Sequence, residues 1–187
     1  MLTSRCHRRA LLPVALTLIA AAAEPAAAQR LDIGAAYQYL SLSASGETET
    51  FPIGFNLDAS VPLTSAFSAV GEVGWARRSE SYEDLFTEKR TRLNFGGGLR
   101  WILGTSIQPW AQGILGAQRA STTIEFEGDD IADDSATDFL VGVDGGITLP
   151  VGGLHVFGAA GYRRIFSEDA GADGLRVLAG IRFGIGG

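Results

Sequence analysis

The sequence is poor in cysteine, histidine and positive charge, and each shortage excludes a class of protein. Its 187 residues include one cysteine and two histidines, and 15 lysines and arginines face 21 aspartates and glutamates. One cysteine, Cys6, cannot form a disulfide framework within the chain. The net charge of −6 argues against nucleic acid as a partner, because a polyanion is bound through a basic surface.

Long apolar runs are also missing after residue 28, although 46% of the residues are hydrophobic. A membrane-spanning helix needs about 20 consecutive apolar residues, so the later sequence predicts no such helix. Charged residues make up only 19% of the chain, which is too few for a disordered protein. The apolar side chains must therefore be buried in a core or in lipid.

Residues 1–28 have the three parts of a secretory signal peptide. A basic segment at residues 5–9 precedes an apolar segment at residues 10–23, and small residues at 26–28 fit a cleavage site. We therefore expect the mature chain to begin at Gln29 and to lack Cys6.

The rest of the sequence alternates between apolar and polar residues with a period of two. In 51–63 every odd position from Phe51 to Leu63 is apolar, whereas the even positions are polar, glycine or proline. Strict alternation predicts a β-strand with two different faces. The pattern occurs eight times, at 30–42, 51–63, 66–78, 91–103, 106–120, 137–149, 154–165 and 174–185.

The segments between these strands alternate in length and charge. After the second, fourth and sixth strands they are short and uncharged. The other four are longer and hold 15 of the 20 acidic residues that follow residue 28: 43–50, 79–88, 121–136 and 166–173. An even number of strands with short turns at one end and long loops at the other is typical of a transmembrane β-barrel.

Three features predict that the apolar face points to lipid. The opposite face is rich in glycine, which fits the narrow interior of an eight-stranded barrel. Aromatic residues cluster near strand ends, as in the two interfacial girdles of membrane barrels. The long-loop set is Tyr37, Tyr39, Phe51, Trp75, Phe139 and Tyr162, and the short-turn set is Phe67, Trp101 and Phe183.

The third feature is a balance of charges on the glycine-rich face. Buried charges must be paired, so equal numbers of each sign are expected of an interior. Five acids and five arginines form this predicted interior network, in which we expect Arg182 to reach Asp32: Asp32, Asp58, Glu72, Asp138, Asp144, Arg92, Arg100, Arg163, Arg176 and Arg182.

With its signal peptide, eight amphipathic strands and a last strand that bears Phe183, the chain resembles the small eight-stranded outer-membrane β-barrels of Gram-negative bacteria, of the OmpX-like and OmpA-barrel type. The resemblance covers residues 29–187. It implies a porin-like barrel in the cell outer membrane, surrounded by lipid and lipopolysaccharide and inserted by the outer-membrane assembly machinery. Family members usually end on an aromatic residue, whereas four residues follow Phe183 here.

Two features could carry chemistry, and we interpret both as structural. His155 could serve a lipid A-modifying enzyme, but it lies near a short turn, about 25 Å from the outer leaflet, so we expect no catalytic residue. The acidic run from Glu125 to Asp134 does not match the spacing of a calcium-binding loop, so we expect a solvated loop and no metal or other cofactor.

Seven basic residues lie where the predicted strands meet the long loops. They could bind lipopolysaccharide phosphates, for which arginine offers forked donors, or they could pair with the loop acids. Both interpretations stay open for this set, which is Arg77, Arg78, Lys89, Arg90, Arg119, Arg163 and Arg164.

The sequence therefore predicts an all-β protein: an eight-stranded antiparallel up-and-down transmembrane β-barrel at residues 29–187. The expected function is structural, in support of envelope integrity, with acidic surface loops that could serve adhesion or the binding of a partner that the sequence does not identify. A narrow porin-like channel and a lipid A-modifying enzyme are the two alternatives.

Overall fold

The computed structural model describes residues 30–82, 86–104, 106–126, 129–167 and 171–186. The predicted signal peptide lies outside this described part. Within it, no helix is long and apolar enough to cross a membrane.

All regular structure in the described residues is β-strand. The nine strands are β1 (Leu31–Ala44), β2 (Glu47–Phe51), β3 (Ile53–Pro62), β4 (Phe67–Tyr82), β5 (Phe86–Ile102), β6 (Gln108–Phe126), β7 (Asp129–Val151), β8 (Leu154–Phe166) and β9 (Ala172–Ile185).

The strands form one closed antiparallel sheet. From β3 to β9 each strand pairs with the next along the chain. β1 closes the sheet against β9, in a register that runs from Leu31–Ile185 to Ser43–Asp173. β2 and β3 both pair with β1 and together occupy one position in the barrel. The predicted eight-stranded antiparallel barrel is therefore confirmed.

A bulge at Pro52 separates β2 from β3. Leu40 pairs with Phe51 and Tyr37 with Phe55, so three residues on one strand face two on the other. Proline fits this position because it has no N–H to donate to the ladder. The extra residue reverses which side chains point inward. Phe51 is fully buried, and its prediction as a lipid-facing girdle residue is wrong.

Three of the four predicted loops are mostly strand. In place of loop 43–50, β1 and β2 join through a two-residue turn whose residues, Ser45 and Gly46, have φ of 52° and 88°. Such a pair of positive φ values belongs to the type I′ hairpin turn. The described parts of the other two segments, 79–82 with 86–88 and 121–126 with 129–136, likewise continue β4, β5, β6 and β7 as ribbons beyond the barrel.

The outer surface has the apolar belt that the alternation predicted. Leu57, Val143 and Ile181 are each between 44% and 56% exposed, and several aromatic residues nearer the strand ends are also exposed. Phe55 and Trp75 stack there with ring centroids 5.5 Å apart. These exposed apolar side chains form the surface that a bilayer would cover.

Two apolar clusters occupy the interior, one toward each end. The cluster toward the ribbons contains Leu40, Leu42, Phe51, Ala76, Leu140 and Ile165. The cluster toward the short turns contains Ala36, Trp110, Phe157, Ala159 and Leu178. Polar and charged side chains fill the space between them, so the interior is layered.

Candidate functional site

The centre of the barrel holds Arg176 between two carboxylates. Its Nη2 donates to Glu72 Oε2 at 2.8 Å and to Asp144 Oδ2 at 2.7 Å. Nε donates to Asp144 Oδ1 at 2.9 Å, and Nη1 donates to Glu72 Oε1 at 3.0 Å and to Asn56 Oδ1 at 3.3 Å. The guanidinium group thus uses all its nitrogens, and the residue is only 1% exposed.

Arg163 and Gln112 extend this arrangement. Arg163 Nη2 donates to Glu72 Oε1 at 2.8 Å and to Asp144 Oδ2 at 3.0 Å. Gln112 Nε2 donates to Asp144 Oδ2 at 2.8 Å, while Gln112 Oε1 accepts from Arg100 Nε at 2.9 Å. Gln112 therefore links the central carboxylates to a second group of charges.

Asp58 is the acid of that second group. It accepts from Arg100 Nη2 at 2.8 Å and from Arg182 Nη2 at 3.1 Å. Both guanidinium groups also lie over aromatic rings of the short-turn cluster. Arg100 is 4.9 Å from the Trp110 ring centroid, and Arg182 is 4.7 Å from that of Phe157. The charges at this level are therefore packed against an apolar layer.

Interior glycines make room for these side chains. A Cβ at Gly142 would overlap the Arg163 guanidinium, and one at Gly161 would overlap the Asp144 carboxylate. A Cβ at Gly34 would overlap the Asp58 carboxylate in the same way. The glycine-rich face of the strands is thus the space that the charged side chains fill.

We call the connected set of charges the inner cluster. It contains seven of the ten residues of the predicted interior network: Asp58, Glu72, Asp144, Arg100, Arg163, Arg176 and Arg182. Gln112 and Asn56, which join it through hydrogen bonds, were missed from the sequence. They could have been recognised in the sequence, because both occupy inward-facing positions of the alternating strands.

Asp32, Arg92 and Asp138 lie outside the inner cluster. Asp32 accepts a hydrogen bond from Arg30 Nε at 3.0 Å near the short-turn end. Arg182, which we expected to contact Asp32, donates to Asp58 instead. Arg92 donates to Glu49 Oε2 at 3.3 Å near the ribbons. Asp138 lines a cavity of about 230 Å³ there, together with Glu49 and Arg92.

Strand parity divides the seven basic residues at the ribbon end into two sets. Arg78, Arg90 and Arg163 point inward, where Arg78 pairs with Glu80 and Arg90 with Glu49 and Glu88. Arg163 is buried in the inner cluster, so its prediction as a lipopolysaccharide contact is wrong. The residues on the outer face are Arg77, Lys89, Arg119 and Arg164.

Two outward residues have defined contacts. Arg164 Nη1 pairs with Asp173 Oδ2 at 2.7 Å, and Tyr162 donates its hydroxyl hydrogen bond to the same carboxylate. Arg119 Nη2 donates to Ser135 Oγ at 3.1 Å. The outer face thus carries cations directly above the aromatic end of the apolar belt.

Metal binding and catalysis at His155, the other candidate activities, find little support in the positions of the side chains. Nowhere in the described ranges do three histidine, cysteine, aspartate or glutamate side chains come together as metal ligands. His155 is half-buried at the short-turn end, in register with Pro150 and Arg182. Part of the acidic run from Glu125 to Asp134 lies outside the described residues, and the rest is strand.

Comparison with known proteins relates the chain to others by fold. No protein-family model matches the sequence, and no curated protein does. Among solved structures, Ail of Yersinia pestis is 18% identical, with a TM-score of 0.60 over 83% of this chain and 99% of Ail. Neisserial surface protein A is 15% identical, with a TM-score of 0.69 over 84% and 99%.

A major outer membrane protein of Thermus thermophilus is also similar in structure. It is 12% identical, with a TM-score of 0.62 over 86% of this chain and all of that protein. Identities this low show the fold alone. The fold is that of small outer-membrane β-barrels, which is the fold that the sequence predicts.

Proposed function

We propose that the chain is a closed, non-enzymatic outer-membrane barrel that supports the envelope and carries a β-sheet at the cell surface. The inner cluster is the observation on which this proposal depends. Four arginines and three carboxylates fill the barrel centre, with an apolar cluster on either side. An eight-stranded barrel has an interior that side chains just fill, so water has no continuous path.

The two alternatives have less support. A porin-like channel needs a hydrated path through the inner cluster, where Arg176 and Asp144 are almost fully buried. A lipid A-modifying enzyme needs a catalytic group beside the outer leaflet. The one histidine among the described residues, His155, lies at the opposite end of β8 from the ribbons.

Conductance tests the closed barrel against the channel. Purified protein in a planar bilayer is expected to give no regular single-channel steps. The double variant Arg100→Ala/Arg182→Ala removes two guanidinium groups and leaves Asp58 unpaired, so water should enter and raise the conductance. Arg164→Ala on the outer face is the matched control and should stay silent. Large regular steps from the unaltered protein would refute the closed barrel.

The outward cations support a second part of the proposal, contact with lipopolysaccharide. Arg77, Lys89 and Arg119 lie on the outer faces of the adjacent strands β4, β5 and β6, on the ribbon side of the apolar belt. Ail has also been solved with the heparin analogue sucrose octasulfate, another polyanion. We infer that these cations bind the phosphates of lipopolysaccharide after the outer-membrane assembly machinery has inserted the barrel.

Stability in defined lipid tests this contact. The barrel should melt at a higher temperature in vesicles with lipopolysaccharide than in vesicles of a zwitterionic phospholipid. Arg77→Gln/Arg119→Gln should remove most of that difference. The matched double variant Arg78→Gln/Arg90→Gln removes inward cations and should retain it. An equal difference in both variants would contradict the assignment.

A further inference from the structure

A cavity of about 230 Å³ lies at the ribbon end of the barrel, next to the apolar cluster that contains Leu42 and Ile165. It is smaller than the roughly 300–1,000 Å³ of pockets for drug-sized ligands, so it suits a molecule with few heavy atoms. We call this cavity the surface cup. Its apolar lining includes Leu42, Ala120 and Ile165, and its polar lining includes Glu47, Gln118 and Asp138.

Two carboxylates of the surface cup have no ion pair and no hydrogen bond within the described part of the chain. They belong to Glu47 and Asp138. The third carboxylate of the lining, Glu49, pairs with Arg92, which also lines the cup. Arg90 reaches Glu49 as well, but it has a further carboxylate partner of its own. The surface cup therefore retains two unbalanced negative charges.

The two unbalanced carboxylates lie on opposite walls of the barrel. Glu47 is on β2, which shares one barrel position with β3, and Asp138 is on β7, four positions away in a closed ring of eight. Both point inward, since Glu47 has the parity of buried Phe51 and Asp138 that of buried Leu140. The interior of an eight-stranded barrel is narrow, so a small molecule can reach both walls at once.

Gln118 is a buried polar group of the surface cup that lacks a partner. The residue is 5% exposed and lies directly opposite Asp138 in the pairing of β6 with β7. Its side-chain amide makes no hydrogen bond to any residue that the structure describes. Buried amides normally have such a partner. A donor placed in the surface cup would satisfy Gln118 Oε1 and the Asp138 carboxylate together.

We propose that the surface cup binds a short aliphatic diamine. One ammonium group donates to the Asp138 carboxylate and to Gln118 Oε1, and the other donates to the Glu47 carboxylate. The methylene chain between them lies against Leu42 and Ala120. This occupant neutralises both unbalanced charges, because a charge taken out of water must be paired. The site adds a ligand to the closed barrel of the proposed function.

Other small ligands fit the surface cup less well. A divalent metal ion lacks ligands, since no three acidic, histidine or cysteine side chains converge in the described ranges. The carboxylate of a zwitterion would meet Arg92, which already pairs with Glu49 and whose Nε is buried. A monoamine would leave either Glu47 or Asp138 without a partner. The diamine alone among these ligands matches both walls.

Calorimetric titration of the full barrel in zwitterionic lipid nanodiscs at low salt tests the proposal. The probes are diaminobutane with an amine at each end, butylamine, γ-aminobutyrate and Mg²⁺. Diaminobutane should bind one to one. Butylamine should bind about tenfold more weakly, because one charge-assisted contact is lost. γ-Aminobutyrate should give no measurable heat, and an equal concentration of Mg²⁺ should not displace diaminobutane.

Variants assign the binding to the surface cup. Asp138→Asn should weaken diaminobutane binding about tenfold and abolish its advantage over butylamine. Asp173→Asn is the matched control, because it removes the same charge from the outer face at the same end of the barrel. It should bind diaminobutane as the unaltered protein does. Ala120→Leu fills the cup without changing any charge and should abolish binding.

Four results would overturn the proposal. Absence of diaminobutane binding to the unaltered protein would refute it directly. Equal losses in Asp138→Asn and Asp173→Asn would mean attraction to the general negative charge of the surface. Tighter binding of γ-aminobutyrate would assign the cup to zwitterions, and displacement by Mg²⁺ would assign it to metal ions. Regular conductance steps would refute the closed barrel but leave diamine binding intact, so the two proposals fail separately.

Discussion

At the scale of single residues, Arg176 determines whether the buried carboxylates of the inner cluster are paired. Four of its hydrogen bonds reach Glu72 and Asp144. Removing one partner of a buried ion pair typically costs about 3–5 kcal/mol, because the remaining charge stays desolvated. We therefore expect Arg176→Gln to lower the free energy of unfolding by about 3–5 kcal/mol, measured by urea unfolding in vesicles.

The exposed pair of Arg164 and Asp173 is the matched control for Arg176. Its side chains are 40% and 47% exposed, and exposed ion pairs contribute little to stability because water screens them. Arg164→Gln should therefore lower the unfolding free energy far less than Arg176→Gln does. Similar losses in the two variants would mean that Arg176 is hydrated and the interior is open.

Interior glycines give a second prediction at this scale. Gly142→Ala places a methyl group where the Arg163 guanidinium lies, whereas Gly113→Ala places one where no atom lies within 4 Å. Overpacking of a filled interior costs about 1–3 kcal/mol, so only the first variant should unfold more easily. Equal stability of the two variants would show that Arg163 lies elsewhere.

At the scale of elements, the bulge at Pro52 makes the orientation of the side chains differ from the one that the sequence predicts. Phe51 is buried while Phe55 is 45% exposed, although both are odd-numbered residues of one alternating run. Truncating a buried phenylalanine costs about 3–5 kcal/mol. Phe51→Ala should therefore destabilise the barrel by that amount in thermal or urea unfolding.

Phe55→Ala is the comparison, because that ring faces lipid and leaves no cavity in the interior. It should cost clearly less than Phe51→Ala. A larger loss of stability for Phe55→Ala than for Phe51→Ala would mean that 51–63 alternates without interruption and that there is no bulge at Pro52. Sequence alternation alone could not reveal the inversion, because Pro52 continues the apolar–polar pattern while adding one residue to the strand.

The ribbons show a second limit of sequence patterns. Segments 121–126 and 129–136 are strand, yet they were predicted as a loop because their residues do not alternate between apolar and polar. Alternation records a difference between the two faces of a strand, and both faces of a ribbon beyond the membrane are wet. Backbone pairing persists there without leaving a hydrophobic period in the sequence.

At the scale of the whole molecule, the sequence predicts which charges are inside better than it predicts their partners. Residue parity placed Asp58, Glu72 and Asp144 on the inner face. The partner of each arginine depends on strand register, which brings Arg182 of β9 and Asp58 of β3 together over Gly34 of the intervening β1 and leaves Asp32 with Arg30. Local alternation contains no information about register, so the pairing within the inner cluster could only come from the structure.

The barrel as a whole is inside-out relative to a soluble protein, and Leu57 tests this arrangement. Leu57 is 49% exposed in the middle of β3, where a bilayer would cover it. Arginine at the bilayer midplane of a membrane barrel costs about 2–4 kcal/mol. Leu57→Arg should therefore lower the unfolding free energy in phospholipid vesicles by about that amount. Ser79→Arg, on the outer face of the β4 ribbon, should have almost no effect, because water covers that position. If Leu57→Arg proved as stable as Ser79→Arg, the apolar belt would not face lipid.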